Sequence, residues 1–369
     1  MAKPLTRQGL QKKYGSGFAS EIALTPESTL RIPTRIIPLN YQTNGGLPYG
    51  KILELFGEES TGKSLLAMEY GYITQQLGGI VLWNDAENGF DAHWFEANGL
   101  DLSKIVLFKS RTVEKISDWI LEEGKYWRSV LTNNEPILFV QDSLAALDCL
   151  ANIGSSQVDA KAEMGNRAKA IYKMLRLRNE EFEKWGISAI FINQLRRKVG
   201  ATKWEDPDTT PGGAAMKFFA HQRICVARGK QIKKKIHGEE KRVGQLAFIR
   251  GKKDKTGPLR EQTNTKVFFR KTKTNDVGFD RYEGLLDIAM AHGVFEKKKG
   301  ASRYYLDGKM IANGEDNMKE VLANDADMRR KVIKKVKINT FSVTQEKITS
   351  INKNLYPVKH EKSKGSDEE

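Results

Sequence analysis

Short, nearly continuous apolar runs recur along the chain at 52–56, 80–83, 105–108, 137–140 and 187–192. Runs of this length, rich in β-branched and aromatic residues, suit strands covered on both faces, as in a parallel sheet between helices. The intervening segments carry helical spacing, as at Ile116, Trp119, Ile120 and Glu123, and again at Met174, Leu175, Leu177 and Phe182. The pattern predicts an α/β core with a mainly parallel twisted sheet flanked by helices. From about Val243 it changes to runs at 245–249 and 266–269, separated by a Gly/Pro/charge turn, which predict antiparallel strands appended to the sheet. A smaller unit begins near Val277, with a helix around 283–292, a turn at 297–300 and a helix carrying the basic run 329–337. After about Thr340 the apolar pattern thins into a polar tail, expected to be disordered. No internal repeat is found. These breaks suggest a short N-terminal arm at 1–32, a core at 33–275, a small α/β C-terminal domain at 276–340 and a tail at 341–369.

Composition narrows the setting. A length of 369 residues with 39% hydrophobic content is enough for one large core and a small second domain. Cys149 and Cys225 are too few and too separated for a disulfide framework or a zinc site, which fits a reducing cytoplasmic setting. The first residues are polar rather than a secretory apolar core, and no run approaches a membrane span, so a soluble intracellular protein is expected. A net charge of +15 favours a polyanionic partner. Nucleic acid stands ahead of a membrane surface because no basic amphipathic helix stands out; a merely solvated basic surface is the bland alternative.

The chemistry is concentrated in Gly57, Glu58, Glu59, Ser60, Thr61, Gly62, Lys63 and Ser64, which match the phosphate-binding pattern G-x-x-x-x-G-K-[ST] at every fixed position. A predicted strand precedes it and a predicted helix follows, the context the pattern requires. Glycines let the turn close on phosphate oxygens, amides at the helix start donate to them, and Lys63 adds positive charge. The motif implies a nucleoside triphosphate, with Ser64 holding magnesium. The run at 137–140 leads to Asp142, a second magnesium-side candidate, although Asp and Ser after a strand also suit an ordinary helix cap. Hydrolysis needs a carboxylate that orients water toward the terminal phosphate. Glu87, just after another strand end, is one candidate, and Glu58 and Glu59 are rivals that spacing does not separate. A third strand exit carries the neutral amide of Gln194 and leads into an aperiodic segment from Arg196 to Gly213, a long loop of the kind that carries function.

These positions, taken with Gly45, Gly46, Leu47, Pro48, Tyr49 and Gly50 before the first strand, Asp85, Ala86 and Glu87, the run 142–147, Met164 and Gly165, 191–194, 209–219, 284–287 and 297–308, resemble the RecA-type homologous recombinases, most closely a bacteriophage-like branch. The resemblance spans Arg31 to Lys337. It implies a P-loop core that forms a helical filament on single-stranded DNA, pairs it with a homologous duplex and hydrolyses ATP with magnesium. It makes Glu87 the water-activating carboxylate, Gln194 the sensor of the terminal phosphate and Asp142 the magnesium-side acid. Asp91 and Trp94 would contact adenine, Trp94 standing where a tyrosine is usual.

By the same resemblance two loops, about 152–165 and 195–213, meet DNA. Met164, Gly165, Lys169, Tyr172 and Arg176 match the first surface; Arg196, Lys198, Val199, Gly212 and Gly213 match the second, with Val199 as a wedge between stacked bases and the basic residues on phosphates. Lys253 and Lys255 would reach the ATP of a neighbouring subunit, with Lys252 as an alternative. The N-terminal arm would serve oligomerisation, with Phe18 and Ala19 as its apolar anchor. A single-strand-binding protein and a loader are further partners that such a protein uses. The competing readings are a ring-forming helicase on the same core and a non-catalytic recombination mediator. No helicase-type collar precedes the core, and the presence of Glu87 and Lys63 argues against the mediator.

Overall fold

The computed structural model describes residues 30–132, 134–153, 160–197, 208–212, 214–236, 239–259, 262–271, 277–297 and 300–336. Its centre is a nine-stranded sheet. In chain order the strands are β1 (Ile52–Gly57), β2 (Ile80–Asp85), β3 (Ile105–Phe108), β4 (Ile137–Asp142), β5 (Ile187–Gln194), β6 (Gln222–Ile236), β7 (Glu239–Asp254), β8 (Gln262–Phe268) and β9 (Gly278–Phe279). In space they run β9, β8, β7, β6, β1, β5, β4, β2, β3. Every pair from β6 to β3 is parallel, and every pair from β6 to β9 is antiparallel.

The five apolar runs become β1 to β5 because each is covered on both faces. Along β4, Ile137 and Phe139 join the core on one side of the sheet while Leu138 and Val140 join the core on the other, as the two-residue period of a strand requires. Helix α1 (Lys63–Gln76) covers the second side with Leu66, Tyr70 and Ile73. Helices α2 (Val113–Val130) and α3 (Ala160–Trp185) cover the first with Ile116 and Ile120, and with Ile171, Leu175 and Phe182. The expected helix-flanked, mainly parallel sheet is what forms.

The runs at 245–249 and 266–268 lie in β7 and β8, as antiparallel additions. Strand β6 was not anticipated. Its first residues pair in parallel with β1, Gln222 with Leu53 through Cys225 with Phe56, and it then leaves the sheet with β7 as a long hairpin. Only Ile224, Cys225, Val226 and Ala227 form an apolar run there, and the outer half is dominated by Lys230, Lys233, Lys234 and Lys235, so two-sided burial is confined to a short stretch that does not mark the whole strand. A second difference concerns the first DNA loop: Met164 and Gly165 lie within α3 rather than before it. Ala160, Ala162, Glu163 and Met164 are strong helix formers, and one glycine does not outweigh them.

The C-terminal elements are α4 (Leu285–Ala291), the hairpin β10 (Arg303–Leu306) and β11 (Lys309–Asn313), α5 (Glu315–Asn324) and α6 (Ala326–Val336). Leu285, Val294, Tyr304, Met318 and Val332 pack into the same cluster as α1. Arg329 is buried beneath Tyr282, its guanidinium 4.4 Å from the ring centroid, and donates to the carbonyls of Leu322 at 3.0 Å and Ala323 at 2.9 Å. It therefore satisfies two of the C-terminal carbonyls of α5. The anchor candidates Phe18 and Ala19 and the tail at 341–369 lie outside the described residues. Among the described residues no helix is long and apolar enough to cross a membrane.

One buried ion pair ties the segment before the sheet to α1. Arg35 donates from Nε and a terminal nitrogen to the two Glu69 carboxylate oxygens, each at 2.8 Å, and also to the carbonyl of Asn98 at 3.0 Å. Its guanidinium lies 4.1 Å from the centroid of the Tyr72 ring. Removing one partner strands the other charge, which costs about 3–5 kcal/mol in a buried pair. Glu69→Ala is expected to lower stability by about that amount in urea unfolding, and a loss below about 1 kcal/mol would show the pair to be dispensable.

Candidate functional site

The phosphate loop leaves the carboxyl end of β1, where β1 lies between β5 and β6, and runs directly into α1. Ligands in doubly wound sheets bind at such carboxyl ends. Two glycines are required by geometry. A Cβ on Gly57 would lie 2.1 Å from the carbonyl oxygen of Val226, and Gly62, the residue before α1, has φ of +97°. Thr61 is buried and donates to the carbonyl of Glu58 at 3.0 Å, while Glu58, Glu59 and Ser60 are exposed at the loop crest. Lys63 is buried, and its Nζ donates to the loop carbonyls of Gly57 at 3.1 Å and Glu58 at 2.6 Å. Burial pushes its pKa down, opposed by the charges of Asp142, Glu87 and Glu59.

Strands β2 and β4 end level with one another, Asp85 opposite Asp142. Asp85 is buried and accepts the N–H groups of Gly89 at 2.9 Å and Phe90 at 3.0 Å, so it folds the turn that carries Glu87. The Glu87 carboxylate accepts a short hydrogen bond from the Ser143 hydroxyl. Neither Asp85 nor Ser143 was assigned a part from the sequence. A carboxylate closing an otherwise apolar strand was the available signal for Asp85, and Ser143 had none beyond its place after Asp142. The Ser64 hydroxyl lies beside the half-buried Asp142 carboxyl, and desolvation pushes the Asp142 pKa up to about 6, with Glu87 and Asp85 adding to the rise and Ser64 and Lys63 opposing it. Two oxygen ligands from different elements, one an acid, suit a hard divalent cation that keeps most of its shell as water and phosphate. Among the described residues no group of three or more His, Cys, Asp and Glu side chains is gathered to hold a metal without such help.

Gln194, the last residue of β5, lies in register with Gly57, and the N–H of Leu195 donates to the Gly57 carbonyl at 3.0 Å. The chain continues through an exposed Arg196, paired in a short ladder with Thr209. Lys198, Val199 and Gly213 lie outside the described residues. The return of this segment meets α3. Gly212, with φ of +91°, lines a cleft of about 480 Å³ together with Lys169, Tyr172, Lys173 and Arg176. Lys169, Tyr172 and Arg176 share one face of α3 through their spacing of three and four. The Tyr172 ring stands edge-on to Phe219, with centroids 5.2 Å apart. Met164 is exposed further up the helix. The fold thus brings residues assigned to two separate DNA loops onto one basic surface.

The remaining candidates are placed as follows. Asp91 accepts the N–H of Trp94 at 3.1 Å and caps the short helix Ala92–Ala97, leaving Trp94 half-buried against the core. Lys253 donates from Nζ to the carbonyls of Lys217 at 2.6 Å and Phe218 at 3.2 Å, which end the helix Ala215–Phe219. Partial burial, with Lys255 and Arg223 nearby, pushes its pKa down to about 8. Lys252 and Lys255 have exposed side chains.

The raised pKa of Asp142 fixes the sign of a pH effect. Between about pH 4 and pH 6 the folded protein holds a proton that the unfolded chain has released, so this group's contribution is full below about pH 4 and is lost as the pH rises through about 6. Asp142→Asn, nucleotide-free, is expected to melt at temperatures that exceed those of the unmodified chain by a margin growing from pH 4 to pH 7. A margin that stays flat would contradict the half-buried, proton-holding carboxyl.

The sequence profile of the RecA N-terminal domain family matches residues 6–273. Protein RecA of Tropheryma whipplei (strain Twist) is 31% identical over 340 residues, covering 91% of this chain and 72% of that protein. Protein RecA of Mycolicibacterium vanbaalenii is 29% identical over 333 residues, covering 89% of this chain and 88% of that protein. Protein RecA of Lactobacillus acidophilus is 29% identical over 364 residues, covering 97% and 93%. A match sustained over this length, on a chain whose sheet carries its phosphate loop at the ligand-binding end, means that the protein belongs to the RecA family of ATP-dependent DNA recombinases.

Proposed function

We propose that this recombinase couples its nucleotide to DNA through β5: ATP held on the phosphate loop is read by the Gln194 amide, which passes its state into the segment 195–213. The observation that carries this is the register of Gln194 with Gly57, followed within one chain segment by the return at Gly212 to the basic cleft on α3. Lys63 neutralises the terminal phosphates, and its present contacts to two loop carbonyls hold the ammonium at the place where phosphate oxygens would take over. Glu87 orients water in line with the terminal phosphorus, and Ser143 holds its carboxylate against the end of β4. Ser64 and Asp142 would hold a magnesium ion, which would supply positive charge against the phosphates. Trp94 stacks on adenine beside Asp91.

On the DNA side, Lys169, Tyr172 and Arg176, with Met164 and Gly165 above them, face one part of the strand. Arg196, Lys198, Val199, Gly212 and Gly213 face the other, largely through phosphates and stacking. Lys253 and Lys255 reach a neighbouring subunit's ATP. For Lys253 this means leaving the Lys217 and Phe218 carbonyls, so subunit contact and the end of that helix are linked. The units 33–275 and 276–340 act as ATPase core and accessory domain, and a single-strand-binding protein and a loader attend the filament in the cytoplasm.

Negative-stain imaging with single-stranded DNA and a slowly hydrolysed ATP analogue tests the reading, with extended helical filaments expected and closed rings contradicting it. Lys63→Ala is expected to abolish nucleotide-dependent filaments, and normal filaments in that variant would sink the coupling. Glu87→Gln is expected to keep ATP-dependent DNA binding while turnover falls by about 10²–10⁴-fold. Undiminished phosphate release would hand the role to another acid.

A further inference from the structure

Glu54 is an anomaly in its strand. It occupies the third position of β1 between Leu53 and Leu55, it is fully buried, and a carboxylate in such a place is costly unless each oxygen is satisfied. Its oxygens are divided between two different elements. Oε1 accepts from Nδ2 of Asn193 on β5 at 3.0 Å, and Oε2 accepts from Nε of Arg223 on β6 at 2.5 Å. Both ends of this bridge lead outward.

On one side, the same Asn193 Nδ2 donates to the carbonyl of Pro211 at 3.0 Å, while its Oδ1 accepts the N–H of Gln194 at 3.0 Å. Asn193 is itself fully buried, so it joins the residue beside the phosphate loop to the return of the DNA segment. On the other side, Arg223 lies over the Phe56 ring, 4.8 Å from its centroid, and sits directly opposite Lys253 in the ladder between β6 and β7. Lys253 holds the carbonyls of Lys217 and Phe218, and the Phe218 side chain is 64% exposed.

We propose that Glu54 is a positioning residue that wires the DNA segment and the Gln194 amide to the exposed corner formed by Lys253 and Phe218. The proposal rests on the reading in which Gln194 and Lys253 both respond to the phosphate. An ionised carboxylate only accepts hydrogen bonds, so it holds Asn193 and Arg223 in one mutual arrangement. A shift of Pro211 in the DNA-bound state is then felt across β1, and displacement of Lys253 by a neighbouring subunit is felt back at Pro211. An apolar side chain at position 54 would leave Arg223 and Asn193 without this shared acceptor and would carry no such directional constraint.

The test is the ratio of single-stranded DNA affinities measured by fluorescence anisotropy with the slowly hydrolysed ATP analogue and with ADP. It is read for the unmodified chain, Glu54→Gln, Asn193→Ala and the double variant, with thermal melting as the check on folding. Glu54→Gln keeps the shape but replaces one acceptor by a donor. Asn193→Ala leaves the Glu54–Arg223 pair in place and removes the Asn193 side of the relay, its bonds to Glu54, Pro211 and the Gln194 N–H together, so it carries the test if the first variant does not fold. Each single variant is expected to reduce the ratio by about tenfold while its nucleotide affinity without DNA stays within about threefold. The double variant is expected to be no worse than the worse single one, because both cut the same wire. A folded variant with an unchanged ratio overturns the proposal, as do a parallel loss of nucleotide affinity and additive losses in the double variant. A ratio of one in the unmodified chain would instead overturn the underlying reading, and the relay with it.

Discussion

The functional end of this protein depends on the parallel ladder that sets β1 between β5 and β6. Parallel strands end on the same side, so one pairing scheme brings together the phosphate loop after Gly57, the amide at Gln194 and the acids at Asp85 and Asp142. None of these groups needs to find the others in sequence. They are assembled because Ile52, Ile137, Ile187 and their neighbours are buried in a sheet that helices cover on both faces.

Within that frame, buried charge does the finer positioning. Lys63, Asp85, Glu54 and Arg35 are buried and Asp142 is half-buried, and each has its own hydrogen-bonding or electrostatic partner. Desolvation pushes Lys63 toward its neutral form and Asp142 toward its protonated form, while the opposite charges of their neighbours pull each back.

The strands β1 to β5 and the phosphate loop were legible for opposite reasons. The loop is local chemistry, eight consecutive positions whose glycines and lysine have few other uses in that order. The strands are legible because two-sided burial removes nearly every polar residue from them. Strand β6 was opaque because half of it projects from the sheet as a lysine-rich ribbon, and the helical start of α3 was opaque because Gly165 resembles a loop residue. Ser143, Asn193 and Glu54 were silent as partners: a serine, an amide or a lone glutamate in a strand has many possible neighbours, and their neighbours here are 18 to 169 residues away.

The amino-acid order therefore carried the family, the nucleotide chemistry and the parallel core, since each is written in contiguous residues or in a burial period that repeats every two or four positions. It did not carry which acid meets which hydroxyl, that Lys253 rests on its own subunit's helix end, or that Lys169, Tyr172 and Arg176 face Gly212 across a cleft. Those are matters of strand register and helix placement. They are set by how the two cores pack on the sheet, an energy summed over many distant contacts and visible in no single stretch of the chain.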